Sequence, residues 1–182
     1  MERARQLVGE MLVYCFVVLL CTGAFLAFFY TPDGRIVPYT GGYEPLHGVP
    51  MSAAYSSVLS LSFEVRGGLL IRQLHHSSSL LLALGAFVWT MFGRFRYAPA
   101  LLGLGLVLLS GLAGYGSADD LLSGTVLGQV PIVIWYGLHV LTALTLAATL
   151  VISSHREAAR NPRTPGFVAL TLALTALVFL WR

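Results

Sequence analysis

Three side chains in this 182-residue chain combine reactive types with telling spacing: Arg72, His75 and His139. His75 stands about eight residues into an apolar run that opens at Gly67, and His139 about eight residues into one that opens near Pro131. On helices that rise 1.5 Å per residue, each imidazole lies about 12 Å below its helix start. If the two helices run in the same direction, they present one histidine each at matching depth. That is a geometry for clamping a flat metal macrocycle, each ring giving one axial nitrogen. Bis-imidazole ligation suits electron carriage and leaves no open position for oxygen chemistry. The plainer reading of a histidine in an apolar helix is a hydrogen bond to a neighbouring helix. Both readings stand at this point.

Arg72 precedes His75 by three residues and so shares its face, nearer the helix start. Its two-pronged guanidinium suits a carboxylate such as a macrocycle propionate. The alternative is an arginine snorkelling to the membrane surface. His76 lies about 100° round the helix from His75 and cannot easily share its metal, so it reads as a supporting or interface residue. His155, beside Arg156, reads as meeting headgroups or solvent, and His47 lies in a loop. Gly23, Gly111 and Gly114 stand at the same ends of their helices and would let a macrocycle rim approach backbone. Ordinary small-residue helix packing explains them equally well.

The elements that must position these residues are membrane helices. The chain is 57% hydrophobic and 10% charged, against about 25% charged in a soluble domain. Its arginines are spread between apolar runs rather than gathered on one face, so nucleic acid is not an expected partner. Five runs are long enough to cross about 30 Å of hydrocarbon: A at about 7–30, B at 67–92, C at 98–115, D at 130–153 and E at 165–181. The expected fold class is all-α integral membrane, a four-helix bundle over 1–162 followed by a further helix in 163–182. The N-terminal run resembles a signal peptide, but its length is that of a span. Pro99, Pro131 and Pro165 fall near helix starts, where a missing N–H costs nothing, and Thr164 is a candidate N-cap.

Arginines near the N-terminus, in the B–C turn and in the D–E link share one side if the runs alternate. They place the N-terminus in the cytoplasm of a multi-pass inner (plasma) membrane protein. The A–B loop, 31–66, and the C–D link then face the periplasmic (p) side. The first half of the A–B loop reads as turns and its second half, from Met51 to Val65, as a short interfacial helix. Cys15 and Cys21, six apart, do not sit side by side on a helix and read as packing thiols.

The segment AYSSVLSLSFEVRGGLLIRQLHH, from Ala54 to His76, resembles the entry into the second helix of the cytochrome b family of respiratory and photosynthetic quinol oxidoreductases. The resemblance lies in AYSSV, then EV, a glycine and I-R-x-x-H. Thr22-Gly23, with Gly9 fourteen residues earlier, resembles the family's first helix. GLAGYG at 111–116 and His139 in WYGLHVLTAL resemble its third and fourth. The likeness covers about 5–162 and implies heme b ligated by His75 and His139, with Arg72 at a propionate.

The family places a second histidine fourteen residues on in each ligand helix. Here those positions are Trp89 and Ser153, and Ala100 stands where a glycine would. The resemblance therefore implies one heme, on the p side, and no second heme. The family's Pro-Glu-Trp-Tyr segment does not occur, the proline–tryptophan after G-Y is replaced, and a helical C–D hairpin is not expected. The implied function is a membrane electron-transfer subunit. Its partners would be lipid and a redox subunit, whether cytochrome c, an iron–sulfur protein or a periplasmic oxidoreductase, with quinone a further option. A heme-free anchor that scaffolds a larger complex is the alternative. A metal-handling protein using His75 and His76 is a weaker third.

Overall fold

The computed structural model describes residues 1–180. Among them lie seven α-helices: α1 (Glu2–Phe29), α2 (Ala53–Phe63), α3 (Gly68–Phe92), α4 (Ala98–Ala118), α5 (Leu121–Leu127), α6 (Ile132–Arg160) and α7 (Pro165–Leu180). The five expected runs correspond to α1, α3, α4, α6 and α7. The last residue of the expected fifth run, Trp181, lies outside the described residues. Two boundaries need correction: α1 begins at Glu2 rather than near 7, and α6 continues to Arg160 rather than stopping near 153. The cause is tertiary. Ser154 and Glu157 on the extra turns of α6 bond to Glu10 and Arg5 on α1.

Of these helices α1, α4 and α6 are both long and apolar enough to cross a membrane. The 25 residues of α3 reach about 37 Å, but Arg72, His75, His76 and three serines lower the hydropathy of its first half. In α7, 16 residues are described. The protein is an all-α membrane protein.

The 31–50 segment, expected as turns, contains a short ladder. β1 (Ile36–Pro38) pairs antiparallel with β2 (Pro50–Ser52), Ile36 opposite Ser52 and Pro38 opposite Pro50. Three-residue strands ending or starting in proline carry no alternating pattern to read. Tyr39, fully buried against Met51 and Leu59, anchors the loop. The chain reverses at Gly48, whose φ of +76° suits glycine. Before β1, the Asp33 carboxyl sits below its ordinary pKa, because it accepts from the Arg35 backbone N–H at 2.9 Å and from its guanidinium at 2.6 Å.

The short helix expected after this ladder is α2, capped by Ser52, whose hydroxyl accepts from Tyr55 N at 3.1 Å. The C–D link is not free of helix. Asp120 caps α5 by accepting from Leu122 N and Ser123 N at 3.1 and 2.8 Å. Thr164 caps α7 by accepting from Phe167 N at 3.2 Å.

The chain forms two compact units. One comprises Met1–Leu19, Ser78–Leu108 and the chain from Ala143 onward; the other comprises Leu20–Ser77 and Leu109–Thr142. The core of the first unit gathers round Trp89, which is 1% exposed, with Leu12, Ala86, Ala100 and Leu146. Gly9 and Gly103 flank the indole so closely that a Cβ on either would stand 3.1 or 3.2 Å from it. Tyr97 packs edge-on to Trp89 at 5.7 Å and shares a 2.8 Å hydrogen bond with Ser153.

Around this core lies a set of polar pairs. Arg5 meets Glu157 at 2.7 Å and stands 4.3 Å over the Tyr97 ring. Arg163 meets Glu10 at 2.7 Å. Glu10, buried on α1, is thus paired with a guanidinium from the link before α7. Replacing Arg5 by alanine leaves Glu157 buried without its counter-ion. The expected loss is about 3 kcal/mol of stability, read as a lower thermal midpoint of the detergent-solubilised chain.

Candidate functional site

The residues singled out by sequence that converge do so within the second unit. The route into the site is the α2–α3 junction. Gly67 turns the chain with φ of +79°. A Cβ on Gly68 would stand 1.9 Å from the Leu61 carbonyl oxygen, so only glycine permits this close approach. α3 therefore starts immediately after α2, and His75 falls two turns into it.

His75 on α3 and His139 on α6 face each other with ring centroids 6.3 Å apart and planes at 69°. Two metal–imidazole bonds of about 2 Å each, plus the half-width of each ring, add to about 6 Å. The spacing fits one metal between the rings. His139 Nδ1 lies 2.8 Å from the Ser110 carbonyl oxygen on α4. A carbonyl only accepts, so Nδ1 carries the proton and the lone pair of the neutral ring stays on Nε2. The Ser110 hydroxyl lies 3.2 Å from the same nitrogen. His75 Nδ1 lies 2.9 Å from the Thr22 hydroxyl on α1. Bonds of this kind set the tautomer and orientation of ligand histidines.

Glycines back both rings. A Cβ on Gly23 would stand 3.1 Å from His75 Cε1, and one on Gly114 would stand 2.9 Å from His139 Nδ1. Gly111 differs: a Cβ there would meet nothing within 4 Å. Arg72 is half-buried, and its Nη1 donates to Ser62 Oγ at 3.3 Å. His76 is exposed, as is His155 near the end of α6. His47, in the 31–66 loop, bonds the Gly41 carbonyl. The two thiols divide, Cys15 buried and Cys21 exposed.

Among the described residues no three His, Cys, Asp or Glu side chains gather into a metal-binding group. A bare ion usually takes three or four protein ligands. Two opposed imidazoles suit a macrocycle that brings its own equatorial nitrogens. Sequence reasoning missed Thr22 and Ser110 as ring partners. Each directly precedes a glycine already singled out or its neighbour on the helix face, and a hydroxyl inside an apolar run was the available signal. It also missed that Tyr30 donates to the Ser117 carbonyl and packs, tilted by 43° at 5.1 Å, against Tyr136.

No family model matches the chain. It is 43% identical over 129 residues to the cytochrome bc1 complex cytochrome b subunit of Streptomyces coelicolor, covering 65% of this chain and 24% of that protein. The Corynebacterium diphtheriae subunit of the same name is 39% identical over 155 residues, covering 80% and 27%. That of Mycobacterium tuberculosis is 45% identical over 128 residues, covering 65% and 23%. The chain spans about a quarter of the length of these curated relatives.

Proposed function

Since the chain belongs to the cytochrome b family over the part it shares with those relatives, we propose that it is a membrane electron-transfer subunit carrying one low-spin heme b between His75 and His139. The observation that carries this reading is the 6.3 Å separation of the two rings, with both Nδ1 atoms turned onto neighbouring helices. When bound, the heme supplies reversible one-electron exchange between ferric and ferrous iron.

His75 and His139 ligate through Nε2. Thr22 and Ser110 hold the two rings. Gly23 and Gly114 keep α1 and α4 clear of them, Gly111 leaves room for the macrocycle rim, and Arg72 sets positive charge at a propionate. The tight packing of Trp89 and the Tyr97–Ser153 bond support a single heme, since these residues occupy the two positions where the family's second pair of histidines would stand. Residues 1–162 form the heme module, and the segment from 163 onward adds α7. The N-terminus lies in the cytoplasm and the heme near the p side of the inner membrane. From there it exchanges electrons with a partner redox subunit (a cytochrome c, an iron–sulfur protein or a periplasmic oxidoreductase) or with quinone.

A reduced-minus-oxidised spectrum with heme quantitation on the purified chain tests this reading. One b-type heme per chain is the expected result. Two would overturn the single-site assignment, and none would favour a heme-free anchor. A finer test concerns Thr22. If its hydroxyl accepts from His75 Nδ1, the bond makes the imidazole a stronger donor to ferric iron. Thr22→Val should keep the α band. A lost hydrogen bond of about 1 kcal/mol should raise the midpoint potential by roughly 20–40 mV. Redox titration reads the shift, and an unchanged potential would remove Thr22 from the account.

A further inference from the structure

The first unit holds a small cavity of about 10 Å³ whose walls include Arg5, Gly9, Trp89, Leu150, Ser153 and Glu157. Two atoms of these walls are buried without a hydrogen-bond partner, Trp89 Nε1 and Glu157 Oε2. Their residues are 1% and 5% exposed. The indole N–H can only donate and the carboxylate oxygen can only accept. Leaving either unmade inside an apolar bundle is costly. What fills the cavity must therefore accept on one side and donate on the other.

A simple cation would satisfy Glu157 but has nothing to accept the indole proton. An anion would satisfy the indole and be repelled by Glu157. Water does both, and a cavity needs about 10–15 Å³ of this kind of volume to hold one molecule. We propose that a single water is held here, accepting from Trp89 Nε1–H and donating to Glu157 Oε2.

That water completes a continuous polar chain. Trp89 is joined through it to Glu157, Glu157 to Arg5, and Arg5 lies over Tyr97, which bonds Ser153. The chain links α1, α3, α6 and the turn before α4. It gives the first unit a cofactor-free means of satisfying polar groups across its helices. The inference draws only on residues of the first unit and stands whether or not His75 and His139 hold heme.

The test uses the full chain in lipid nanodiscs, labelled with 15N at its three tryptophan indoles. Trp89→Phe identifies the Trp89 signal by its disappearance. The expected result is a cross-peak from the Trp89 indole proton to a long-lived water. In Gly9→Ala the added methyl would stand 3.1 Å from Nε1 and crowd the water, so the cross-peak should vanish. Absence of the water contact in the unaltered chain overturns the proposal. An undiminished cross-peak in a folded Gly9→Ala variant overturns it as well. Should that variant fail to fold, the measurement on the unaltered chain still decides.

Discussion

His139→Ala is expected to abolish the b-type absorption of the purified chain, lowering heme occupancy by more than about 100-fold, beyond the range seen when only an outer-shell partner of a ligand is removed. His75→Ala should do the same. The reasoning is geometric: the two rings stand 6.3 Å apart, and a heme held between them would lose one of its two protein ligands. His76→Ala and His155→Ala should keep the full α band, because both side chains are exposed. The helical content of His139→Ala should be largely kept. The first unit has its own core round Trp89 and its own ion pairs, and neither involves the two histidines. Absorption and far-UV circular dichroism on the same samples separate loss of heme from loss of fold. A normal α band in His139→Ala would end the clamp reading.

The second large effect is expected at Gly114. An added methyl would stand 2.9 Å from His139 Nδ1 and 3.0 Å from Cε1, closer than a Cβ normally sits. The ring must move by several tenths of an ångström, which stretches and misaligns the 2.8 Å bond from Nδ1 to the Ser110 carbonyl. Gly114→Ala should therefore weaken heme binding by at least about 10-fold, the lower end of the cost of losing a ligand's orienting partner. It should also lower the thermal midpoint of the heme-free chain. Gly23→Ala should act in the same direction but less, since its nearest atom is one ring carbon at 3.1 Å.

Gly111→Ala separates two roles for glycine. Its Cβ meets no protein atom within 4 Å, so the heme-free chain should keep its stability. If Gly111 leaves room for the macrocycle rim, heme retention should still fall. Equal retention in Gly111→Ala and the unaltered chain would remove this glycine from the site.

Much of this was legible because it depends on properties that run along one helix. Apolar composition marks a helical run wherever it occurs, so α1, α3, α4, α6 and α7 could be placed as helices before any packing was known, although only α1, α4 and α6 among the described residues are both long and apolar enough to cross a membrane. Helical rise alone sets His75 and His139 two turns past the first residues of α3 and α6. Caps such as Thr164 act within one turn and need no tertiary partner. The α5 helix was missed although Asp120 carries the same kind of local signal; seven residues are too few for a periodic apolar face. The β1–β2 ladder was missed because its pairing lies across a loop and its strands are three residues long.

What sequence could not supply was the rotation of each helix about its own axis. That rotation decides that His75 meets Thr22, 53 positions away, and that His139 meets Ser110, 29 away. The missing second pair of histidines was readable as Trp89 and Ser153. The packing around them was not: the Arg5–Glu157 pair joins residues 152 apart, and the wedged indole depends on Gly9 and Gly103 from two other helices. Composition and periodicity settle which long segments become helices and how far along its helix a residue lies. Packing in three dimensions settles which side chains touch, because contact requires the correct turn of two helices at once and no single stretch of chain encodes both.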